Sequence, residues 1–254
     1  MDLKQAVGIV TGSSSGVGAS TARQLAARGT NVVINYSRSV DAAERVAEEC
    51  RELGAEVLVC QADVSKDSDC QRMVEDTLSR WGRLDILVNN AGTTKFVTHS
   101  DLAGLDHQDF QDIYAVNVIG AFQMVRAAQD ALTASGDASI VNVASIAGVK
   151  GVGSSIAYAA SKGALITMTK SLARVMGPSI RVNAVCPGFI EGDWLAEGMG
   201  QAVYEQTLSF LRAKTPLQTT CTADSVAESI LSFIDGHSVV TGQHLILDGG
   251  HLLL

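Results

Sequence analysis

The stretch AVGIVTGSSSGVG at residues 6–18 decides the fold. Residues 6–10 form a short apolar run that predicts a buried strand, and helical spacing begins near Val17. Glycines permit unusual dihedral angles and a close approach of phosphate to the backbone, and the amides at a helix start attract anions. An isolated Gly/Ser-rich turn could be an ordinary loop, but the strand and helix around it favour a phosphate-binding turn. We therefore predict that a dinucleotide pyrophosphate contacts Gly12, Ser14, Ser15, Gly16, Val17 and Gly18.

Six further apolar runs, rich in β-branched residues, predict strands at residues 31–35, 56–61, 86–89, 139–143, 181–185 and 244–247. Segments with helical spacing separate these runs. This alternation is typical of right-handed βαβ crossovers. We therefore predict an α/β fold, a single doubly wound Rossmann-type domain over residues 1–254. Its seven-stranded parallel sheet should be buried on both faces by helices.

Residues 188–215 interrupt the alternation of strands and helices and contain Gly192, Gly198 and Gly200. Long connections of this kind often carry function and close over a site. We expect a mobile substrate flap here that becomes ordered when cofactor or substrate binds.

The composition excludes several classes of partner. The net charge is −8 and the basic residues are scattered singly, so neither nucleic acid nor an anionic membrane is expected as a partner. No apolar run is long enough to span a bilayer and no signal-peptide pattern is present, which predicts a soluble, unprocessed protein. No metal site is predicted. The five cysteines include no CxxC pair, which favours a reducing cytoplasm.

Tyr158 and Lys162 lie four residues apart in a segment with helical spacing, residues 157–176, so their side chains should share a face. A nearby ammonium stabilises a phenolate and lowers its pKa, so we expect Tyr158 to act as a general acid and base. Ser145 follows the strand at 139–143, where its hydroxyl could bind a developing oxyanion. The alternatives are a solvated helix face for the Tyr/Lys pair and an ordinary turn for the serine.

Further motifs follow in order along the chain: TGSSSGVG at 11–18, NNAG at 89–92, Asn117, Ser145, YAASK at 158–162, Pro187-Gly188 and DGG at 248–250. With them the sequence resembles the classical short-chain dehydrogenase/reductase family over nearly its whole length. It looks most like the members related to 3-oxoacyl-carrier-protein reductase and glucose dehydrogenase. The resemblance implies an NAD(P)-dependent oxidoreductase acting on a carbonyl or alcohol carbon.

The resemblance also assigns roles to the candidate catalytic residues Asn117, Ser145, Tyr158 and Lys162. Ser145 would bind the oxyanion, and Lys162 would also bind the hydroxyls of the nicotinamide ribose. Asn117 would hold a water that links Lys162 to solvent, although a buried structural amide is an equal alternative. Asn89 and Asn90 are expected mainly to tie neighbouring loops together.

The end of the second predicted strand bears on the choice of cofactor. Folds that prefer NAD usually carry an acidic residue there, but no carboxylate appears before Asp41. Arg38 could bind a 2′-phosphate, with neutral hydrogen bonds from Asn35 and Ser37. NADP(H) is therefore favoured. NAD remains an alternative, because Ser15 stands where many NADP-preferring relatives place a basic residue.

Family similarity supplies the remaining expected cofactor contacts: Tyr36, Ala62, Asp63, Val64, Asn90, Ala91, Gly92, Tyr158, Lys162, Pro187, Gly188 and Ile190. Among these, Asp63 would bind the adenine amino group, and capping of a helix is the competing interpretation. The family commonly has a threonine that contacts the nicotinamide carboxamide. Gly192 stands at that position, which puts this contact in doubt.

Basic residues that dock an acidic carrier protein in related reductases are replaced by TASGD at 133–137 and GPS at 177–179. We therefore expect a small free carbonyl or secondary-alcohol substrate, with 3-oxoacyl-carrier-protein reductase as the alternative. A catalytically silent cofactor sensor is a further alternative, and the four intact catalytic residues argue against it. Epimerases and dehydratases of similar sequence usually have a longer C-terminal region than the few residues after DGG at 248–250.

The segments at 104–132 and 157–176 are rich in small residues, among them Ala121, Ala127, Ala128, Ala159, Ala160, Gly163 and Ala164. Relatives mostly form tetramers through these helices, so we expect a homotetramer. The alternative is that the small residues only pack on the sheet of their own chain.

Overall fold

The computed structural model describes all 254 residues and contains one seven-stranded sheet in the order β3-β2-β1-β4-β5-β6-β7. All neighbouring strands are parallel. The strands are β1 (Val7–Val10), β2 (Asn31–Tyr36), β3 (Val57–Gln61), β4 (Ile86–Asn89), β5 (Ala138–Val143), β6 (Ile180–Pro187) and β7 (His244–Leu247). Each lies within a few residues of its predicted position, so the predicted strand pattern and the doubly wound fold are confirmed.

Ten α-helices connect the strands: α1 (Gly16–Ala26), α2 (Val40–Glu52), α3 (Asp67–Trp81), α4 (His107–Tyr114), α5 (Ala121–Ser135), α6 (Ala147–Lys150), α7 (Ile156–Met176), α8 (Asp193–Met199), α9 (Gln201–Lys214) and α10 (Ala223–Asp235). A π-helix (Ala115–Gly120) joins α4 to α5. Short 3-10 helices occupy Leu102–Gly104 and His251–Leu253. None of the helices combines the length and the apolar character that a bilayer span requires.

Two apolar layers cover the sheet. On one face, α1, α2 and α10 contribute buried side chains such as Leu25, Val46 and Ile230. On the other face, α3 and α5 contribute Met73 and Met124. Because helices cover both faces, the central strands β1, β4 and β5 are buried along their whole length.

The strand order reverses next to β1, which has β2 on one side and β4 on the other. Loops that leave these strands at their carboxyl ends diverge and open a crevice, where ligands of doubly wound folds bind. The loops after β1, β2, β4, β5 and β6 carry most of the residues that the sequence marked as functional.

One expectation about the fold is wrong in detail. The edge strand β7 is not buried on both faces, because it has only β6 as a neighbour, and Leu245 and Ile246 are about 40% exposed. The segment at 188–215, where the alternation of strands and helices is interrupted, contains α8 and α9. The glycines that suggested a long loop lie at or inside the ends of these helices: Gly192 precedes α8, and Gly200 separates α8 from α9.

Candidate active site

The glycine-rich turn after β1 is tightly built. Gly12 and Gly16 have φ of +62° and +54°, a region that side chains with a Cβ rarely adopt. A Cβ on Gly18 would lie 2.5 Å from both the Asn90 Nδ2 atom and the Gly12 oxygen. These positions leave the amides at the start of α1 uncovered for an anion, which supports the predicted phosphate-binding turn.

The side chain of Asn35 holds this turn in place by hydrogen bonds. Its Oδ1 atom accepts a hydrogen bond from the Gly12 N–H at 2.9 Å, and its Nδ2 atom donates to the carbonyls of Ala62 at 3.0 Å and Cys60 at 3.3 Å. The side chain is 2% exposed. The expected contact between Asn35 and a 2′-phosphate does not fit this arrangement, since it would break buried hydrogen bonds.

Thr11 and Asn90 connect the turn to the loop after β4 by hydrogen bonds. The Thr11 Oγ1 atom accepts hydrogen bonds from the amides of Asn90 and Ala91, both at 3.0 Å. The Asn90 Nδ2 atom donates to the carbonyls of Thr11 at 2.9 Å and Gly12 at 3.1 Å. The expected structural role of Asn90 agrees with these contacts. The role of Thr11 was missed because a threonine at the end of a strand carries no distinctive sequence signal.

The adenosine end of the crevice is lined by residues after β2 and β3. Ser37 and Arg38 are exposed, and Arg38 takes part in none of the ion pairs of the chain. Asp63 accepts hydrogen bonds through Oδ1 from the Ser65 N–H at 3.0 Å and the Ser65 hydroxyl at 2.7 Å. The N-cap of α3 is Lys66, so capping of a helix by Asp63 is excluded.

Tyr158 and Lys162 occupy the first two turns of α7. The Ser155 hydroxyl caps this helix by accepting the Tyr158 N–H at 3.2 Å, which fixes the start of the helix. The Lys162 Nζ atom lies 5.6 Å from the centre of the Tyr158 ring and donates to the Val143 carbonyl at 2.7 Å. The two side chains therefore share a helix face, as the four-residue spacing predicts.

The electrostatics of this pair differ from the expectation. Burial raises the pKa of Tyr158 to about 12, and the only opposing effect comes from the Ser145 hydroxyl beside it. Burial also lowers the pKa of Lys162 to about 8. The predicted lowering of the Tyr158 pKa by Lys162 is wrong for the protein alone, because Lys162 hydrogen-bonds a backbone carbonyl and is itself short of solvation.

Ser145 lies between the end of β5 and the short helix α6. Its Oγ atom accepts the Ala147 N–H at 3.1 Å and lies 3.5 Å from the Pro187 carbonyl. These contacts hold the hydroxyl next to the phenol of Tyr158. The placement agrees with the prediction that Ser145 lies at the carboxyl end of the sheet.

Asn117 lies in the π-helix and is 1% exposed. Its Nδ2 atom donates to the Thr93 carbonyl and the Ser161 hydroxyl, both at 3.0 Å, and its Oδ1 atom accepts the Thr93 N–H at 2.8 Å. Both amide protons are therefore engaged, and none reaches Lys162. The side chain connects the loop after β4 to α7 one residue before Lys162.

The segment after β6 covers the site. Trp194 on α8 contacts the rings of Phe96, at 5.7 Å between centroids, and Tyr158, at 6.3 Å. The Gly192 N–H donates to the Tyr204 hydroxyl at 3.2 Å. Gly192 has φ of +147°, so a threonine at this position would be strained in this backbone conformation.

One cleft of about 2070 Å³ runs from Arg38 to Trp194. Of the predicted site residues, Gly18 and Asn117 lie behind its wall, and the others line it: Gly12, Ser14, Ser15, Gly16, Val17, Asn35, Tyr36, Ser37, Arg38, Ala62, Asp63, Val64, Asn90, Ala91, Gly92, Ser145, Tyr158, Lys162, Pro187, Gly188 and Ile190. The cradle at Gly12, Gly16 and Gly18, which any Cβ would strain or fill, fits a dinucleotide pyrophosphate.

Comparisons with known proteins agree with this arrangement. The family model described as "Enoyl-(Acyl carrier protein) reductase" matches residues 12–251. The "Granaticin polyketide synthase putative ketoacyl reductase 2" of Streptomyces violaceoruber is 43% identical over 97% of this chain and 96% of that protein. A 3-oxoacyl-[acyl-carrier-protein] reductase of Staphylococcus epidermidis is 35% identical over 95% of this chain and 97% of that protein.

Solved structures show the same fold. A "putative short-chain dehydrogenase/reductase" from Burkholderia xenovorans superposes with a TM-score of 0.91 at 40% identity, covering 98% of this chain and 99% of that one. The NAD⁺-bound xylitol dehydrogenase structure gives 0.89 at 27% identity, covering 98% of this chain and all of that one. With the turn, the cleft and the Ser/Tyr/Lys geometry in place, these matches show that the chain is an oxidoreductase of the short-chain dehydrogenase/reductase family.

Proposed function

We propose that the chain is an NADP(H)-dependent reductase that converts the ketone of a small substrate into a secondary alcohol, or catalyses the reverse oxidation. The observation that carries this proposal is the placement of Ser145, Tyr158 and Lys162 at one end of a cleft whose other end fits a dinucleotide. A silent cofactor sensor has no need for a buried phenol between a serine hydroxyl and a lysine.

In the proposed mechanism a bound nicotinamide ring supplies or accepts the hydride. Ser145 donates a hydrogen bond to the substrate oxygen and holds it beside Tyr158. Tyr158 gives its proton to that oxygen during reduction and takes it back during oxidation. Lys162, held by the Val143 carbonyl, would bind the hydroxyls of the nicotinamide ribose and so hold the cofactor beside Tyr158. Asn117 positions the start of α7 through Ser161.

The preference for NADP(H) rests on Arg38. Its guanidinium has no carboxylate partner and lines the adenosine end of the cleft, so it is free to bind a 2′-phosphate. We expect Arg38→Ala to raise KM for NADPH by about tenfold, the equivalent of about 1.4 kcal/mol, and to leave KM for NADH unchanged. If the wild type uses NADH as well as NADPH, and Arg38→Ala leaves KM for NADPH unchanged, the preference for NADP(H) is refuted and NAD(H) becomes the proposed cofactor.

The relatives favour a second candidate substrate, the ketone of a 3-oxoacyl group on a carrier protein, since one is named for that reaction and another is named a ketoacyl reductase. The chain has no basic residues at 133–137 or 177–179, and its net charge is −8, so it would attract an acidic carrier poorly. A free ketone or keto ester therefore remains the first candidate.

We also propose that the protein works as a homotetramer in the cytoplasm. Phe110 on α4, Ile119 on the π-helix and Phe122 on α5 are 38%, 49% and 44% exposed, which leaves apolar side chains for a second copy to cover. Small residues of the same helices, such as Ala128, are instead buried in the core of their own chain. Sedimentation velocity tests the proposal, and a clean monomer would refute it.

The test of function follows NADPH and NADH oxidation at 340 nm with simple ketones, keto esters, a 3-oxoacyl-carrier protein and its free thioester analogue. We expect faster oxidation of NADPH, with a free ketone or keto ester as the best substrate. Ser145→Ala is the control and should lose about 100-fold in kcat, because it removes an oxyanion donor. A strong preference for the carrier-bound substrate would establish the second candidate. Tight NADPH binding without turnover of any ketone would support the sensor.

A further inference from the structure

We propose that Lys150 and His251 bind an anionic group of the ketone substrate at the mouth of the cleft. This inference rests on the proposed function and names the class of ketone, one that carries a carboxylate or a phosphate at a distance from the reacting carbon. Both residues line the same cleft as Tyr158.

Lys150 supplies the positive charge. It is the last residue of α6, it is exposed, and its side chain makes no ion pair and no hydrogen bond within the chain. In contrast, Lys95 on the same cleft is bound to Asp109 at 2.7 Å. In a protein with a net charge of −8, an unpaired ammonium beside a reaction cleft is free to pair with a negatively charged ligand.

His251 is held in the cleft wall by the C-terminal turn. Asp248 accepts hydrogen bonds from the amides of Gly250 and Leu252, both at 2.8 Å, and so fixes the 3-10 helix that begins with His251. A Cβ on Gly250 would lie 2.6 Å from Pro216, so the turn packs closely on the end of the flap. The Nδ1 atom of His251 is buried and has no hydrogen-bond partner, so Nε2 is the ring nitrogen that can contact a ligand in the cleft.

The charge of Lys150 affects the protonation of His251. Burial lowers the pKa of His251, and the charge of Lys150 lowers it further, so the imidazole is neutral at pH 7. A neutral imidazole can still donate one hydrogen bond while Lys150 contributes the charge. An anion between them would receive both contacts.

The segment that joins Lys150 to Tyr158 lines the cleft. Residues 151–154 follow Lys150 directly, and a Cβ on Gly153 would lie 3.8 Å from the Tyr158 Cδ1 atom. Glu191, which lines the cleft, is bound to Arg212 at 2.8 Å. Both oxygens of Asp248, three residues before His251, accept backbone amides. Asp193 also lines the cleft, in the first turn of α8. A substrate can therefore place its ketone at Tyr158 and extend along this wall to the basic pair.

The experiment compares charged and neutral ketones that share a carbon skeleton. One pair is 5-oxohexanoate and its methyl ester, which tests a carboxylate. The other pair is acetoacetyl-coenzyme A and acetoacetyl-N-acetylcysteamine, which tests a phosphate-bearing arm. The variants are Lys150→Gln and His251→Gln, and Lys170→Gln is the matched control because it removes an equally exposed lysine from α7.

We expect Lys150→Gln to raise KM for the charged member of at least one pair about tenfold, and His251→Gln to raise it less. KM for the neutral members, kcat, and all values for Lys170→Gln should stay unchanged. The pair that responds identifies the anion as a carboxylate or a phosphate. An equal change for charged and neutral ketones, or no change for either, would overturn the inference while the proposed function stands.

A binding measurement keeps the two proposals separable. Glutarate carries the carboxylate but no ketone, and calorimetry can follow its binding to the protein in the presence of NADP⁺. We expect binding by the wild type and by Lys170→Gln, and at least about tenfold weaker binding by Lys150→Gln. If no ketone is turned over, the proposed function fails. Loss of glutarate binding in Lys150→Gln would still support the anion site, and equal binding by all variants would contradict it.

Discussion

The two halves of the cleft are built in different ways. The half around the glycine-rich turn is held by the buried side chains of Asn35 and Thr11 and the half-buried side chain of Asn90, which form hydrogen bonds with the main chain on both sides of the turn. The half under the flap is held by exposed contacts. No residue of α8 is buried, and α9 buries only Leu211. Local stability in proteins follows buried contacts, so the flap should open at a much lower free-energy cost than the turn.

This difference explains how one fold can serve many substrates. A dinucleotide is the same molecule in every relative that uses it, so a rigid cradle binds it without having to reorganise. Substrates differ, and a lightly held segment can change its contacts without disturbing the sheet. The glycines follow this division only in part: Gly18 is enclosed, and Gly192 and Gly200 have no atom within 4 Å of a built Cβ, but Gly198 in α8 packs closely on the Phe96 ring.

The largest expected effect comes from filling the cradle with Gly18→Val. The new side chain cannot fit beside the Asn90 amide and the Gly12 carbonyl, so the turn must shift. We expect NADPH affinity to fall at least about 100-fold, equivalent to about 2.7 kcal/mol, as measured by fluorescence titration. Gly200→Ala in the flap is the control and should leave NADPH affinity within about twofold. Equal losses in both variants would remove the distinction between the halves.

A second prediction concerns Lys162, the buried cation of the cofactor half. Its folded pKa of about 8 lies below the usual 10.5, so between these values the unfolded chain binds more protons than the folded one. The stability of the wild type relative to Lys162→Met should therefore rise by about 2 to 3 kcal/mol as the pH increases from 6 to 10. Urea unfolding of both proteins across this range measures the difference. If the difference in unfolding free energy between the two proteins does not change with pH, the pKa of Lys162 is not lowered in the folded protein.

A smaller effect is expected from the ion pair that joins the ends of the flap. Glu191 precedes α8 and binds Arg212 near the end of α9 at 2.8 Å, and it also accepts a hydrogen bond from Thr220. We expect Glu191→Gln to raise KM for the ketone by about threefold and to leave NADPH affinity unchanged, because a largely exposed ion pair is worth only about 0.2 to 1 kcal/mol. Asp137→Asn, remote from the cleft, is the control. A loss of NADPH affinity in Glu191→Gln would show that the halves are coupled.

Much of the cofactor half could be predicted from the sequence. Apolar runs marked the strands, and because parallel strands end at the same edge, the residues that follow them meet there. The four-residue spacing of Tyr158 and Lys162 placed them on one helix face. The contributions of Thr11 and Asn35 could not be assigned, because they depend on which backbone groups the fold brings within reach. From the sequence, Asn35 was expected to contact the cofactor, but its side chain is buried and holds the turn by hydrogen bonds.

The flap and the pKa values were less predictable for physical reasons. Residues 188–215 follow no repeating pattern, and the packing of Trp194 on Phe96 joins residues nearly 100 positions apart. The pKa of a phenol depends on burial as much as on its neighbours. The sequence showed the ammonium of Lys162 but neither the desolvation of Tyr158 nor the backbone carbonyl that holds Lys162. The exposure of β7 likewise depends on its place at the edge of the sheet.

The central claim is that Tyr158 moves the proton that accompanies hydride transfer. The most direct test is single-turnover oxidation of NADPH by a ketone substrate in the wild type and in Tyr158→Phe, with NADPH affinity measured in the same samples. We expect a rate at least about 100-fold lower in Tyr158→Phe, with NADPH affinity within a few fold of the wild type, since general acid catalysis supplies about 10² to 10⁴ in rate. A rate within a few fold of the wild type would contradict it and assign the proton transfer to another group.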